Sequence, residues 1–363
     1  MSEAAHETAP AQQPELKLEF HGSARDYFRI WSVNLCLTLL TAGIFSAWAK
    51  VRKKRYFYSH TLLDGTPFQY LAQPLPIIRG RLIAAALFIV YYAATHFLTD
   101  ILPFVLVAGL VLAPWVLVRS AAFNARYSAF RNMTFRFDGD YLAAMRTIYW
   151  LGLIPVIVVG AIFSWWGNPA LGGAAFAVCG LLFPWWMRRL RHFIVTRTTF
   201  GGQSAQFGAT GRQFFRVYLV SGLILFAAGL SAGALIFALK NGGKHALLVA
   251  PMPVYVGYVF AFAYVRANTA NLVWNHSELG PLRFQSTLRA RGLARLYLTN
   301  ALGIIASAGL LTPWAVIRTL RYRVDNVHVI LQGTLDRFQG AQQDTVSAAG
   351  AEMSEFFDLD LSL

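Results

Sequence analysis

Eight stretches of this chain run for 17 to 23 residues without a single Asp, Glu, Lys or Arg. They are Trp31–Ala49, Leu82–Leu98, Ile101–Val118, Ile148–Trp166, Ala170–Met187, Val217–Leu239, Ala246–Val265 and Leu296–Ile317. A helix needs about 20 mostly apolar residues to cross a bilayer. A helix packed on a water-soluble core shows a polar face every turn or two, so the solvent implied for most of this chain is lipid. Composition agrees: 13% of the residues are charged, against roughly 25% in soluble domains. Short links (Thr99-Asp100, Gly167-Asn168-Pro169 and a turn with Asn241-Gly242-Gly243) join six of the stretches into antiparallel pairs. The expected fold class is an all-α polytopic membrane protein: three transmembrane helical hairpins plus two end segments.

The net charge of +15 is explained by position rather than by nucleic acid. Lys50–Arg81 holds 7 bases, Arg119–Arg146 holds 5, Arg188–Arg216 holds 6 and Arg266–Arg295 holds 5, whereas the intervening hairpin tips hold only Lys240 and Lys244. Lys and Arg gather in cytoplasmic loops, so these basic loops are expected on the cytoplasmic side of a multi-pass membrane protein. Seven bases remain: Lys17, Arg25 and Arg29 before the first apolar stretch, and Arg318, Arg321, Arg323 and Arg337 after the last. They lie outside if the end segments span. They lie inside if those segments are re-entrant, bent at Gly43 and Gly309. Both arrangements stay open. The expected organisation is a disordered tail at 1–14, one membrane domain with internal repeats at 15–338, and a polar tail at 339–363. The first tail lacks the basic and apolar regions of a cleavable signal.

A pattern recurs at the basic end of five apolar segments: an aromatic residue, then Arg four residues later. The pairs are Trp48/Arg52, Trp115/Arg119, Trp185/Arg189, Phe262/Arg266 and Trp314/Arg318. A further aromatic follows at Tyr56, Phe123, Phe193 and Tyr322. Positions i, i+4 and i+8 share one helical face. Trp suits the headgroup level, so these residues are candidate headgroup or anion contacts, and anionic lipid is the expected partner. After the anchors come β-like runs that predict hairpins: Tyr56–Leu62 and Thr66–Leu71 about Asp64-Gly65, His192–Phe200 and Gln203–Phe207 about Gly201-Gly202, and Val327–Leu331 and Thr334–Phe338 about Gln332-Gly333. Leu16–Phe20 is expected to add a strand to the same small cytoplasmic layer. The two ends match at a constant offset of 266: Arg29, Asn34, Gly43, Trp48, Arg52, Arg55 and Tyr56 meet Arg295, Asn300, Gly309, Trp314, Arg318, Arg321 and Tyr322.

The run Phe28-Arg29-Ile30-Trp31-Ser32-Val33-Asn34 and the run from Thr41 to Arg52 resemble the YjgN family, as do Thr299-Asn300 and Pro313-Trp314-Ala315 with Arg318. The resemblance extends from about Phe20 to about Phe338. It departs mildly, with Ala42 and Phe45 where that family usually has Leu and Tyr. It implies an uncharacterised inner-membrane protein of bacteria and implies no activity.

Motifs of enzyme chemistry are missing. The chain has no phosphate-binding Gly-x-x-x-x-Gly-Lys-Ser/Thr, no His-Glu-x-x-His and no Gly-x-Ser-x-Gly. Its eight histidines are scattered, and Cys36 and Cys179 are two core-type thiols, so no enzyme, cofactor or metal is expected. No carboxylate lies in an apolar segment, which argues against proton or cation coupling. Polar groups do occur at depth. Asn34, Thr41, Gly43, Asn300, Ser307 and Gly309 are candidates for a solute site where two broken end elements meet, or are glue between helices. The expected function is a transporter or channel for a small solute; the alternative is a non-transporting module that binds anionic lipid or organises envelope partners.

Overall fold

The computed structural model describes residues 14–149, 169–239 and 249–332, together with Ile154 and Val158. Both expected tails (Pro14 aside), most of Ile148–Trp166, the Asn241 turn and the predicted strand after Gly333 lie outside the described residues.

The chain opens on two short strands, β1 (Glu15–Leu16) and β2 (Leu18–Phe20). Four tight hairpins follow along the sequence. They are β3 (Thr61–Leu63) with β4 (Thr66–Tyr70), β5 (Ser128–Phe130) with β6 (Met133–Phe137), β7 (Thr198–Phe200) with β8 (Gln203–Phe207), and β9 (Ser277–Leu279) with β10 (Leu282–Ser286). Each turn has two residues. Asp64-Gly65, Arg131-Asn132 and Gly201-Gly202 take positive φ at both positions, and Gly280 takes it ahead of Pro281. Such turns match the twist of the flanking strands. A last strand, β11 (Val327–Leu331), lies near the chain's end.

All these strands form one eleven-stranded antiparallel sheet, in the order β1-β11-β10-β9-β8-β7-β6-β5-β4-β3-β2. The two edges, β1 and β2, are halves of one extended segment divided at Lys17, so the sheet closes on itself as a barrel-like ring. Glu15 and Leu16 pair with Ile330 and Val329, while Leu18 to Phe20 pair with Leu63 to Thr61. Closure removes the exposed edges that an open sheet must otherwise protect. Alternate residues turn inward. Leu16, Leu63, Phe130, Phe200, Leu279, Leu282 and Val329 pack together there, flanked by Phe68, Phe135 and Phe284. They leave a space of only about 50 Å³.

This ring corrects the expected all-α class. The hairpins are not a loose layer hung from loops, because each pairs with its neighbour and the last joins the first. The expected three transmembrane hairpins are corrected as well. Among the described residues, three helices are long and apolar enough to cross a membrane: Pro74–His96, Thr99–Tyr127 and Gly211–Ala238. Only 17%, 17% and 11% of their apolar windows are buried within the protein. Outward side chains such as Leu82, Phe88, Ile89, Phe226, Leu230 and Phe237 therefore form an apolar surface that water disfavours.

Helix pairs stand between the strands. The first is α1 (Ala24–Leu40) with α2 (Ser46–Ser59), and the second is α3 (Pro74–His96) with α4 (Leu102–Tyr127). Then come α5 (Tyr141–Ile148) with α6 (Pro169–Thr196), and α7 (Gly211–Ala238) with α8 (Met252–Asn275). The last is α9 (Ala290–Ala306) with α10 (Thr312–Val324). In α8 the apolar run ends at Arg266, short of the roughly 20 residues that a span needs.

Neither end stretch is a straight span. Trp31–Ala49 divides between α1 and α2, Leu296–Ile317 divides between α9 and α10, and both ends of each helical pair return to the sheet. The bends are alike. Ala42 and Ala308 have φ 47°, and Gly43 and Gly309 have φ 92°. The Gly43 N–H bonds the Thr38 carbonyl and the Gly309 N–H bonds the Ile304 carbonyl, both at 2.8 Å. This is the six-to-one bond of a Schellman helix end. Among the described residues, the middle helices show no such bend. Pro114 and Pro184 lie inside α4 and α6, where the corresponding Pro313 opens α10.

Candidate functional site

The aromatic and arginine pairs lie on α2, α4, α6, α8 and α10, each Arg nine or eleven residues ahead of the strand that follows, and so form a belt at one height, roughly 13–17 Å along the helices from the sheet. The Arg318 guanidinium lies 5.0 Å from the Trp314 ring centroid, Arg266 5.6 Å from Phe262 and Arg119 6.0 Å from Trp115. Each is a cation–π contact made across one helical turn. The first pair differs: Arg52 lies 5.4 Å from Phe45, against which Trp48 stacks at 5.9 Å. Trp185 and Arg189 make no such contact. Trp185 packs on Phe215, with centroids 5.1 Å apart.

The candidate solute-site residues fall in the two end helix pairs and are largely occupied there. Thr41 and Ser307 cap the bends: each hydroxyl accepts the N–H four residues on, from Phe45 and Leu311, at 2.9 Å. Gly43 and Gly309 supply the left-handed backbone. Asn34 and Asn300 are buried and tie the two helices of each pair. Asn300 donates to the Ala315 carbonyl (3.3 Å) and the Thr319 hydroxyl (3.0 Å), and accepts from Arg318 (3.2 Å). Asn34 donates to the Ala49 carbonyl at 3.5 Å, and its Oδ1 has no partner. No described hydrogen bond joins Asn34 to Asn300. The end pairs touch instead through Phe20, Tyr27, Tyr56, Ile317 and Val324.

Asn300→Leu is therefore expected to destabilise the protein by about 1–3 kcal/mol, the cost of stranding buried polar groups. Asn34→Leu, which loses one long bond, is expected to cost distinctly less. Thermal unfolding of both variants in detergent micelles checks the order, and the reverse order would remove the assignment of Asn300 as the stronger tie.

A second set of residues was not recognised as a set from sequence. Arg55 donates to the Ala72 carbonyl (3.0 Å), Arg188 to Ala209 (2.9 Å), Asn271 to Leu288 (2.8 Å) and Arg321 to Gly22 (2.9 Å). Each acceptor lies just before the first helix of the next pair. These bonds latch one helix pair to the next, and Arg321 latches the last to the first. Tyr56 clasps its own pair: its hydroxyl accepts from the Ser23 N–H (2.8 Å) and donates to the Ser23 carbonyl (2.9 Å). Burial raises the Tyr56 phenol above its usual pKa, which keeps that proton in place. The match of Arg55 with Arg321 and of Tyr56 with Tyr322 at one offset was the available signal.

Among the described residues, no cluster of His, Cys, Asp or Glu could hold a metal ion.

An apolar helical layer raised on a closed β ring, with an aromatic and basic belt between them, defines a membrane protein with a compact β base. The chain belongs to the family described as "Bacterial protein of unknown function (DUF898)", which matches residues 15–356. "Inner membrane protein YjgN" of Salmonella typhimurium (strain LT2) is 25% identical over 369 residues, covering 89% of this chain and 90% of that protein. The protein of that name from Escherichia coli O157:H7 is 22% identical over 367 residues, with 89% and 90% covered. The one from E. coli K12 is 28% identical over 156 residues, 41% of this chain and 38% of that protein. The resemblance carried by the Asn34 and Trp48–Arg52 motifs is thus a family relationship. No solved structure matches the chain.

Proposed function

We propose that the protein is a multi-pass inner-membrane module that organises anionic lipid at the cytoplasmic face and conducts no solute. Its helical layer sits in the bilayer and its β ring lies on the cytoplasmic side. The helix pairs are copies of one internal repeat. The observation that carries the reading is the belt itself. Arg52, Arg119, Arg266 and Arg318 each lie over an aromatic ring, and none pairs with a carboxylate among the described residues. A ring-held guanidinium keeps its charge; Arg318 uses one terminal nitrogen on Thr299 and Asn300, and the remaining donors of the four are left for phosphate. Three points support this reading over a solute pathway. The ring interior is filled by Phe130, Phe200 and their neighbours. The polar residues at depth are engaged in bends and helix ties. The relatives are named for the inner membrane alone. No catalytic role is proposed.

The test compares retention of phosphatidylglycerol and phosphatidylcholine by the protein in nanodiscs. Each base near an anionic surface contributes about 1 kcal/mol. Changing Arg52, Arg119, Arg266 and Arg318 together to Gln is expected to erase most of the preference for phosphatidylglycerol. Unaltered preference in a folded variant sinks the reading. A reporter fused after Leu363 is expected to face the cytoplasm, and a periplasmic reporter would overturn the proposed orientation.

A further inference from the structure

The Trp185/Arg189 pair departs from the other four, and its departure opens a cleft. A cavity of about 800 Å³ is lined by Leu182, Trp185, Arg188, Arg189, Thr210, Gly211 and Arg212. Three arginines line the space, and among the described residues no carboxylate does. Arg189 and Arg212 are exposed, and no described residue bonds to either by hydrogen bond, ion pair or ring contact. Arg188 is held in place because its Nε donates to the Ala209 carbonyl at 2.9 Å. No described residue bonds its two terminal nitrogens.

The walls are fixed on the other side. A Cβ on Gly211 would lie 2.6 and 2.7 Å from Cδ1 and Nε1 of Trp185, so the indole rests directly on the backbone that opens α7. No bulkier residue leaves it there. The first N–H groups of α7 face no helical acceptor; the Thr210 side chain takes that of Gln213 in a capping box, and the others add partial positive charge beside Arg212. Three like charges gathered at one place repel unless an anion joins them. The planar forks of Arg fit phosphate oxygens in pairs.

The cleft is also graded in polarity. Leu182, Trp185 and Arg189 stand three and four residues apart, on one stripe of α6. Along that stripe the lining passes from apolar to amphipathic to charged, the order in which an acyl chain, an interface and a phosphate follow one another in a lipid.

We propose that this cleft is a phosphate site for a single amphiphile, a phospholipid whose exposed phosphate is held by Arg188, Arg189 and Arg212 while Leu182 and Trp185 cover its apolar part. The proposal rests on the headgroup reading above but assigns one stoichiometric site that the belt as a whole does not require.

The test uses the full chain in nanodiscs of phosphatidylcholine carrying a minor fraction of phosphatidic acid, with bound lipid counted by native mass spectrometry. The wild type is expected to retain one phosphatidic acid, and Arg189→Gln with Arg212→Gln to weaken retention by about tenfold or more. Equal retention by wild type and double variant overturns the proposal. If the double variant does not purify as a single species, Arg212→Gln alone carries the test. Its side chain is exposed and has no described partner, and about a threefold loss is expected.

Inorganic phosphate titrated onto the detergent-purified protein separates the sources. Weak binding by phosphate alone supports a lipid, and binding as tight as that of phosphatidic acid overturns the lipid as occupant. The fourfold Gln variant of the belt separates this proposal from the broader one. Loss there without loss in the Arg189 and Arg212 variants overturns the cleft and leaves the belt. The opposite pattern overturns the belt and leaves the cleft.

Discussion

Phe200→Ala is expected to lower the stability of the protein by about 3–5 kcal/mol, the range for emptying a large aromatic site in a packed core. Phe200 is 4% exposed inside the β ring. Its ring centroid lies 4.5 Å from that of Phe135 and 6.4 Å from that of Phe130. These residues come from neighbouring hairpins, so the cavity would open between units rather than within one. A closed ring collapses poorly around a void, because its strands are fixed by partners on both sides. Thermal unfolding followed by circular dichroism in micelles measures the loss. Gln206→Ala, at an exposed position on β8, serves as the comparison and is expected within about 0.5 kcal/mol of wild type. A loss below about 1 kcal/mol for Phe200→Ala would mean that the ring interior is not a packed core.

That interior shows where the sequence is legible and where it is not. Asp64-Gly65 and Gly201-Gly202 announce their turns because glycine takes positive φ freely. Arg131-Asn132 forms the same turn with φ of 48° and 62°, yet carries no glycine, so its hairpin escaped notice. The hairpin at Gly280-Pro281 was also missed. Strand limits were read too long. Tyr56–Ser59 and His192–Thr196 look β-like but finish α2 and α6, since a short aromatic and β-branched run does not distinguish the two states. The all-α class failed for a further reason. Hairpin signals are local, whereas pairing of β4 with β5, or of β1 with β11, joins segments tens to hundreds of residues apart and leaves no local trace. The site divides in the same way. The aromatic and arginine spacing was legible because it lies on single helices. The polar residues at depth were visible too, but whether Asn300 faced a solute or the Ala315 carbonyl depended on where the chain bends.

Arg321→Ala is expected to loosen the seam at which the ring closes. Its guanidinium donates to the Gly22 carbonyl at 2.9 Å across 299 residues of sequence. Arg55 makes the equivalent bond to Ala72 at 3.0 Å across 17 residues. The two bonds are chemically alike, and removing either strands a carbonyl; hydrogen bonds from charged donors are worth about 1.5–3 kcal/mol. Their consequences differ because of connectivity. When Arg55 is lost, the joined helix pairs remain tethered by one short β-hairpin. When Arg321 is lost, the seam keeps noncovalent contacts alone: the pairing of Glu15 and Leu16 with β11, the bonds of Leu331 N–H to the Pro14 carbonyl and of Glu15 with His328, and the packing of Tyr27 and Tyr56 near Ile317 and Val324. Local opening should therefore concentrate in the first strand. Hydrogen exchange of a peptide spanning residues 14–22 is expected to quicken by about 10- to 100-fold in Arg321→Ala, the same free energy expressed as an opening equilibrium. In Arg55→Ala the same peptide should exchange at nearly the wild-type rate. Matching rates in the two variants would show that the seam is no weaker than the other joints, and that closure of the ring owes more to β1 and β2 than to the arginine latch.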